Sequence, residues 1–471
     1  MLLRKAFFSI LLSFLITGLP LLSLKIQPVK ALETGIIYIN ADGSINPLTD
    51  LISTVDNVTY TLASSILNGS VVILRDSIVL DGIGNALRGL GREVGIDLHG
   101  VANVTVENVQ ITGFGVGVQV NSSSNDLVSD LDIDGCGEGI FLSQSNHNTI
   151  SENNVTKTSG SGNGIELGSC SNNTISFNNV TGNGGRGIFL DSSNNNIVFA
   201  NEVAQNTQNG VDLDFQSDCN VISRNNITDN YWYGINLDYH SNNNTISENN
   251  FVSNYVGIGI QEDSSGNMIY HNNFIHGFYV NLNQVQSYGF SSNVWDNGYP
   301  SGGNYWSDYL IQYPNAVEID NSSIWNTPYT VSDNDIDHYP LMQTWPMPFT
   351  NTVLKVITQD MNGQTISGMN VTVIYGAGSQ TQTTGEGETT FWLGHYNGTI
   401  SLNITATSAF EKWLRNTTIT TGNTVFYVTL QEAPQSSAFL QLLQQYAWAI
   451  IIVIGVGIIL VAVVYAKKRR V

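Results

Sequence analysis

Five acidic side chains recur at matched places in a repeating segment of the chain. They are Glu166, Asp191, Asp212, Asp214 and Asp238. Two carboxylates about 5 to 10 Å apart can cleave a glycosidic bond, one as acid and one as base or nucleophile. Several hard oxygens gathered together suit calcium better than copper or zinc. Asp191, Asp212, Asp214 and Asp238 are therefore the candidate metal ligands, and calcium is the candidate ion. A solvated acidic surface accounts for the same pattern without chemistry. Aromatic residues crowd the same stretch: Tyr231-Trp232-Tyr233, Tyr239, Tyr255 and Phe278-Tyr279. Exposed rings stack on sugar faces, so Tyr233, Tyr239, Tyr255 and Tyr279, with His240 beside them, are candidate carbohydrate contacts. Filling of a lateral turn explains the rings equally well. The chain has no Gly-x-Ser-x-Gly, no His-Glu-x-x-His, no phosphate loop and no Cys/His pair at ligand spacing.

The spacing of these residues comes from a repeat. GIFLSQSNHNTISENNV starts at Gly139, GIELGSCSNNTISFNNV at Gly164 and GIFLDSSNNNIVFANEV at Gly187, with further copies at Gly210, Gly234 and Gly257 and weaker ones at Gly95 and Gly117. The glycines recur every 22 to 25 residues, a period that means a solenoid. After each glycine, apolar residues alternate with others, as in Ile188/Leu190 and Val211/Leu213; this is strand periodicity. A second strand carries Ile150, Ile175, Val198, Ile222 and Ile246, and a third Val155, Val180, Val203, Ile227 and Phe251. Three short strands per period predict one coil of a right-handed parallel β-helix. Stacked coils place equivalent residues about 4.8 Å apart. The residues two and four after each glycine then point outward, which forms the acidic ladder. Asn153, Asn178, Asn201, Asn225, Asn249 and Asn272 form another ladder, expected to satisfy backbone groups at a tight turn.

The chain has 471 residues, with 38 Asp and Glu against 17 Lys and Arg, for a net charge of −21. The bases concentrate at the two ends, in Arg4, Lys5, Lys25 and Lys30 and in Lys467 to Arg470, so the middle is more acidic still. Such a surface repels phosphate backbones and excludes nucleic acid as a partner. Residues 1–31 read as a signal peptide: Arg4-Lys5, an apolar run from Ala6 to Leu24, and a cleavage site near Ala31. Residues 447–466 are apolar throughout and flanked by Lys467-Lys468-Arg469-Arg470, which predicts a transmembrane helix with residues 467–471 as a cytoplasmic tail. The β-helix is expected over 32–345. Alternating strands with tight turns over 350–432 suggest a small β-sandwich, and 433–446 read as a linker. Cys136, Cys170 and Cys219 are neither a disulfide framework nor a zinc signature, and buried free thiols are expected. Asn-x-Ser/Thr acceptor sequences stand at Asn57, Asn103, Asn154, Asn179, Asn226, Asn370 and Asn416.

From residue 36 to 343 the chain resembles the NosD-like family of secreted β-helix proteins. The entry segment Ile37 to Gly89, the repeats, and the closing segments NVWDNGYPSGGNYWSDY (Asn293 to Tyr309) and DHYPLM (Asp337 to Met342) carry the resemblance. Between the closing segments, Leu310 to Thr327 offers only Glu318 and Asp320 where relatives place a loop richer in Asp and Gly. The 350–432 segment resembles the prealbumin-like or carboxypeptidase-regulatory-like modules of surface proteins. β-Helix sugar enzymes pair a basic residue with such an acidic face; here Arg186 and Arg224 are the nearest in sequence, and neither is placed on the face. The NosD resemblance implies copper handling, for which His338, Met342 and Met347, or His271 and His276, are the local donors. The expected protein is a membrane-anchored cell-surface β-helix, a non-enzymatic binding or structural protein directed at carbohydrate or the cell envelope. A polysaccharide hydrolase or lyase, and a copper-handling accessory protein, are the alternatives.

Overall fold

A computed structural model describes residues 35–275, 284–288, 291–346 and most of 352–430. The signal peptide (1–31), the linker (433–446), the transmembrane segment (447–466) and the tail (467–471) lie outside the described residues. Among the described residues no helix is long and apolar enough to cross a membrane. The chain divides into two compact units between Trp345 and Pro346.

The first unit is a parallel β-solenoid with three faces. Sheet 1 has 12 strands, and sheets 2 and 3 have 11 each. Consecutive coils pair in register: Leu167 with Leu190 and Leu190 with Leu213 in sheet 1, Ile175 with Val198 in sheet 2, Val180 with Val203 in sheet 3. The phase read from the repeat is therefore the phase of the fold. The inward columns are fully buried, with Leu190, Leu213, Val198 and Val203 at 0% exposure. Each repeat glycine packs against the same glycine one coil on. A Cβ on Gly187 would lie 2.5 Å from the carbonyl oxygen of Gly210 and 2.6 Å from Val203 Cγ1, so a side chain cannot be fitted there.

Polar ladders hold the corners. Asn201 Oδ1 accepts from the Asn178 backbone N–H (2.9 Å) and from Asn178 Nδ2 (3.0 Å), while Asn201 Nδ2 donates to Ile175 O (2.9 Å) and Asn225 Oδ1 (3.0 Å). The same geometry recurs along the ladder expected from sequence. Two further ladders accompany it, one through Asn173, Asn196, Asn220 and Asn244 and one through Asn183, Asn206 and Asn230. A serine ladder, Ser145, Ser193, Ser217 and Ser241, runs beside the first of these, and Cys170 stands in it where serine is otherwise found. Cys136 and Cys170 are buried as expected, but Cys219 is exposed. It occupies a left-handed corner position (φ 58°) whose side chain leaves the coil.

The closing segments end these ladders. The Asn304 backbone N–H donates to Asp337 Oδ2 (2.8 Å), as does Trp306 Nε1 (2.9 Å), and the Asn293 N–H donates to Asp335 Oδ1 (2.8 Å). The core ends in stacked rings: Phe251 on Phe274 (5.0 Å), Phe274 on Trp306 (4.3 Å), Trp306 on Tyr329 (4.1 Å). The DHYPLM segment is thus the cap of a solenoid. In the region of Leu310 to Thr327, Glu318 Oε1 accepts from the Ser323 N–H (2.8 Å).

The second unit holds a three-stranded sheet (Glu388–Trp392, Thr352–Gln359, Gly422–Thr429) and a four-stranded one (Gly378–Thr383, Asn370–Tyr375, Gly398–Thr405, Trp413–Ile419). Leu354, Val356 and Val428 of the first share an apolar cluster with Val371, Val373 and Leu402 of the second.

Candidate functional site

The outer face of sheet 1 carries three columns. Two are those expected: Glu166, Phe189, Asp212 and Asn236 pair in succession, as do Gly168, Asp191 and Asp214. The third is formed by the residue before each repeat glycine: Glu138, Asn163, Arg186, Asn209 and Tyr233. The sequence reading passed over it because each copy was taken to begin at the glycine. Its signal was present, since all five of these residues are polar or aromatic.

This third column changes the chemistry of the face. Arg186 lies over the Phe189 ring, 4.2 Å from its centroid, and its Nε donates to Asp212 Oδ2. The expectation that no basic residue stands on this face is wrong. Asp212 is correspondingly not a solvated outward carboxylate: it is 2% exposed, and Asn209 Nδ2 (2.9 Å) and Asn236 Nδ2 (2.9 Å) also donate to it. Asp214, beside it on the same strand, is buried too, and its Oδ1 accepts from the Phe215 N–H (2.8 Å). Burial pushes the Asp214 carboxyl up to about 6, the Phe215 N–H opposes the rise, and Asp212 and Asp238 add to it. Asp238 is half-buried and is also raised by burial; its Oδ1 accepts from the Tyr239 N–H (2.8 Å). Asp191 is half-buried and accepts from Ser192 Oγ (2.9 Å). Three coils before Asp214, Glu138 accepts from the Asn163 N–H, and Asn163 Nδ2 donates to Glu166 (2.7 Å). Burial lifts Glu138 to about 7, with Glu166 raising it further and Arg186 holding it down.

These carboxyls bear on stability. Asp126 and Asp337 are raised to about 7 by burial, and Asp130 to about 6. A carboxyl whose folded value exceeds its unfolded one contributes stability below the ordinary carboxylate range and loses it as pH climbs through the folded value. With Glu138 and Asp214, all five shifts share this sign. The unfolding temperature is therefore expected to be higher at about pH 5 than at about pH 8. Thermal scans across that range check it, and a profile that rises with pH would contradict it.

The aromatic candidates separate into two groups. Tyr233 lies across the sheet: its hydroxyl donates to Gln286 Oε1 (3.2 Å), and its ring uses the space left by Gly259, where a Cβ would meet Tyr233 Cδ1 at 2.8 Å. At the other ends of the same strands, Phe215 and Tyr239 stack with centroids 4.8 Å apart, both exposed. Between these walls run Asp212, Asn236 and Gln261, the last donating to Asn236 Oδ1 (2.9 Å). Tyr255 is exposed, His240 is exposed at a left-handed corner (φ 61°), and Tyr279 lies outside the described residues. The structure thus brings Tyr233, Tyr239, Asp212, Asp214 and Asp238 to one face.

A family model described as periplasmic copper-binding protein (NosD) matches residues 53–184 and 102–310. The chain belongs to the NosD family. No curated protein matches it. Solved structures similar to this NosD-family chain include a mutant of the periplasmic alginate epimerase AlgG, at 17% identity over 54% of this chain and 76% of that one, with a TM-score of 0.32. DFA-IIIase from Arthrobacter chlorophenolicus A6 in complex with GF2 is 14% identical over 60% and 73%, with a TM-score of 0.40. A mutant tailspike protein of E. coli bacteriophage HK620 in complex with pentasaccharide is 13% identical over 52% and 48%, with a TM-score of 0.36.

The family description names copper, and the donors of this NosD-family chain do not fit it. Copper favours converging imidazole, thiolate and thioether groups. His271 is stacked 3.5 Å from Trp345 and bonded to Ser301 O (2.9 Å), and His338 Nδ1 is on Asp296 Oδ2 (3.0 Å). Cys170 belongs to the serine ladder. His276 and Met347 lie outside the described residues. Among the described residues no group of three or more His, Cys, Asp or Glu is arranged to hold a metal ion, at the acidic ladder or elsewhere.

Proposed function

We propose that this protein stands outside the cytoplasmic membrane and binds carbohydrate along the outer face of sheet 1. The observation that carries the reading is the strip Asp212, Asn236 and Gln261, flanked by Tyr233 on one side and the Phe215–Tyr239 stack on the other. Carboxylate, amide and ring are the groups that recognise sugar hydroxyls and sugar faces. The acidity of the strip favours neutral glycans over uronates or phosphorylated ones. The second unit is a β-sandwich stalk in this reading, and residues 447–466 anchor it. The signal peptide, the anchor and the family's periplasmic description support an extracytoplasmic site. Incubating the secreted portion with an array of neutral and acidic envelope glycans tests this; retention of neutral glycans is expected, and a blank array would end the proposal.

One observation favours a second reading. Asp214 is raised to about 6 while Asp212, two residues away, is held by a guanidinium. Environments that separate two carboxyls in this way suit a general acid beside an ionised partner. Alternate residues of a strand lie about 6 to 7 Å apart, within the span glycosidases use. New reducing ends released from a bound glycan would establish this reading; intact recovery of the glycan is what the binding reading expects. A calcium ion held by Asp191, Asp214 and Asp238 would compete with either reading. Unchanged glycan retention in the presence of a calcium chelator is the expected result.

A further inference from the structure

The tripeptide Asn-x-Thr occurs in two structural settings on the solenoid. Asn57, Asn103, Asn172 and Asn243 sit at the corner between sheets 1 and 2, all with positive φ (56°, 58°, 57°, 57°) and all exposed. Their threonines, Thr59, Thr105, Thr174 and Thr245, fall in one outward column of sheet 2, tied by the register through Val79, Leu127, Thr149, Ile197 and Val221. Asn103 to Asn172 and Asn172 to Asn243 are each three coils, or about 14 Å. Among the described residues, the side chains of these four asparagines and four threonines make no hydrogen bond.

Asn154, Asn179 and Asn226 carry the same tripeptide in the outer column of sheet 3. Their amides are engaged: Asn154 Nδ2 donates to Asp132 Oδ1 (2.8 Å), Asn179 Nδ2 to Asn154 Oδ1 (2.7 Å), and Asn226 Nδ2 to both Glu202 oxygens (2.9 Å). The accompanying hydroxyls of Thr156 and Thr181 donate to Asp134 Oδ1 (2.9 Å) and Asn179 Oδ1 (2.5 Å). These asparagines are half-buried, with a neighbour of the ladder one coil away.

The fold explains asparagine at the corner, because asparagine tolerates the left-handed region. It does not explain threonine two residues later, since the same column elsewhere accepts Leu127, Ile197 and Val221. We propose that Asn57, Asn103, Asn172 and Asn243 are acceptor sites for N-linked oligosaccharide, and that Asn154, Asn179 and Asn226 are not. The donor is a lipid-phosphate-linked oligosaccharide presented by a transferase. The bond between Asn Nδ2 and the anomeric carbon forms, the bond from that carbon to the phosphate oxygen breaks, the lipid phosphate leaves, and a base of the transferase takes the amide proton. The sugars then line one corner of the solenoid in steps of two or three coils.

Purified, folded full-length protein incubated with an oligosaccharyltransferase and its lipid-linked donor provides the test. Glycans are released in heavy-oxygen water and the marked asparagines are mapped by peptide mass spectrometry. Occupancy is expected at the four corner asparagines and not at the three sheet 3 asparagines. Thr174→Val should abolish the mark at Asn172 while leaving Asn103 and Asn243 marked and the unfolding temperature unchanged. An unmodified corner, or occupancy of Asn154, Asn179 and Asn226 equal to that of the corner, would overturn the proposal.

Discussion

Leu213→Asp is expected to leave no folded solenoid. Leu213 is fully buried in the inward column of sheet 1, between Leu190 and Leu237 of the adjoining coils. A carboxylate there has no cation and no donor within the apolar column, and burying an unpaired ion costs several kcal/mol. Relief by rotation is not available, because a one-residue slip would send every side chain of the strand to the opposite face. Each coil touches only its neighbours, so a failed coil also deprives the next of its template. Circular dichroism of the secreted portion checks it, with Leu213→Met as the control expected to fold. A Leu213→Asp protein with the parent's spectrum and unfolding temperature would show that the column is not internal.

Asn201→Leu should be the most costly polar change. It removes four hydrogen bonds and strands the Asn178 N–H and the Ile175 carbonyl inside the corner. At about 1 to 3 kcal/mol for each stranded group, the loss is about 2 to 6 kcal/mol. The denaturant midpoint of the variant measures it. Asn201→Asp keeps the acceptor and loses the donors, so it should fall between parent and Asn201→Leu. Equal midpoints for all three would mean the ladder contributes nothing.

The sequence displayed the solenoid clearly because its signal is local and repeated. Gly-Ile-x-Leu fixes the phase of sheet 1, and stacking then forces Asp191 beside Asp214 without further information. The asparagine ladder through Asn201 was legible for the same reason. What escaped was lateral contact. Arg186 looked remote from the ladder because it belongs to the coil before Asp212, yet its side chain crosses the interval between coils and pairs with that carboxylate. Its arrival makes Asp212 a buried, fully bonded group, where the repeat pattern alone described an open carboxylate. Cys219 was expected inside with Cys170; the two stand at different corner positions, one in the serine ladder and one in the left-handed column that also holds Asn172 and Asn243. The roles of Asp335 and Asp337 were out of reach, since they become evident only where the last coil ends and two asparagine ladders require a terminal acceptor.

The account stands on sheet 1 as the ligand-bearing face. A crystal structure of the protein with the neutral oligosaccharide best retained on the glycan array tests it most directly. The sugar is expected over Asp212, Asn236 and Gln261, with one ring against Tyr239 or Phe215. A sugar bound on sheet 2, on sheet 3 or on the second unit, with sheet 1 bare, would contradict the account.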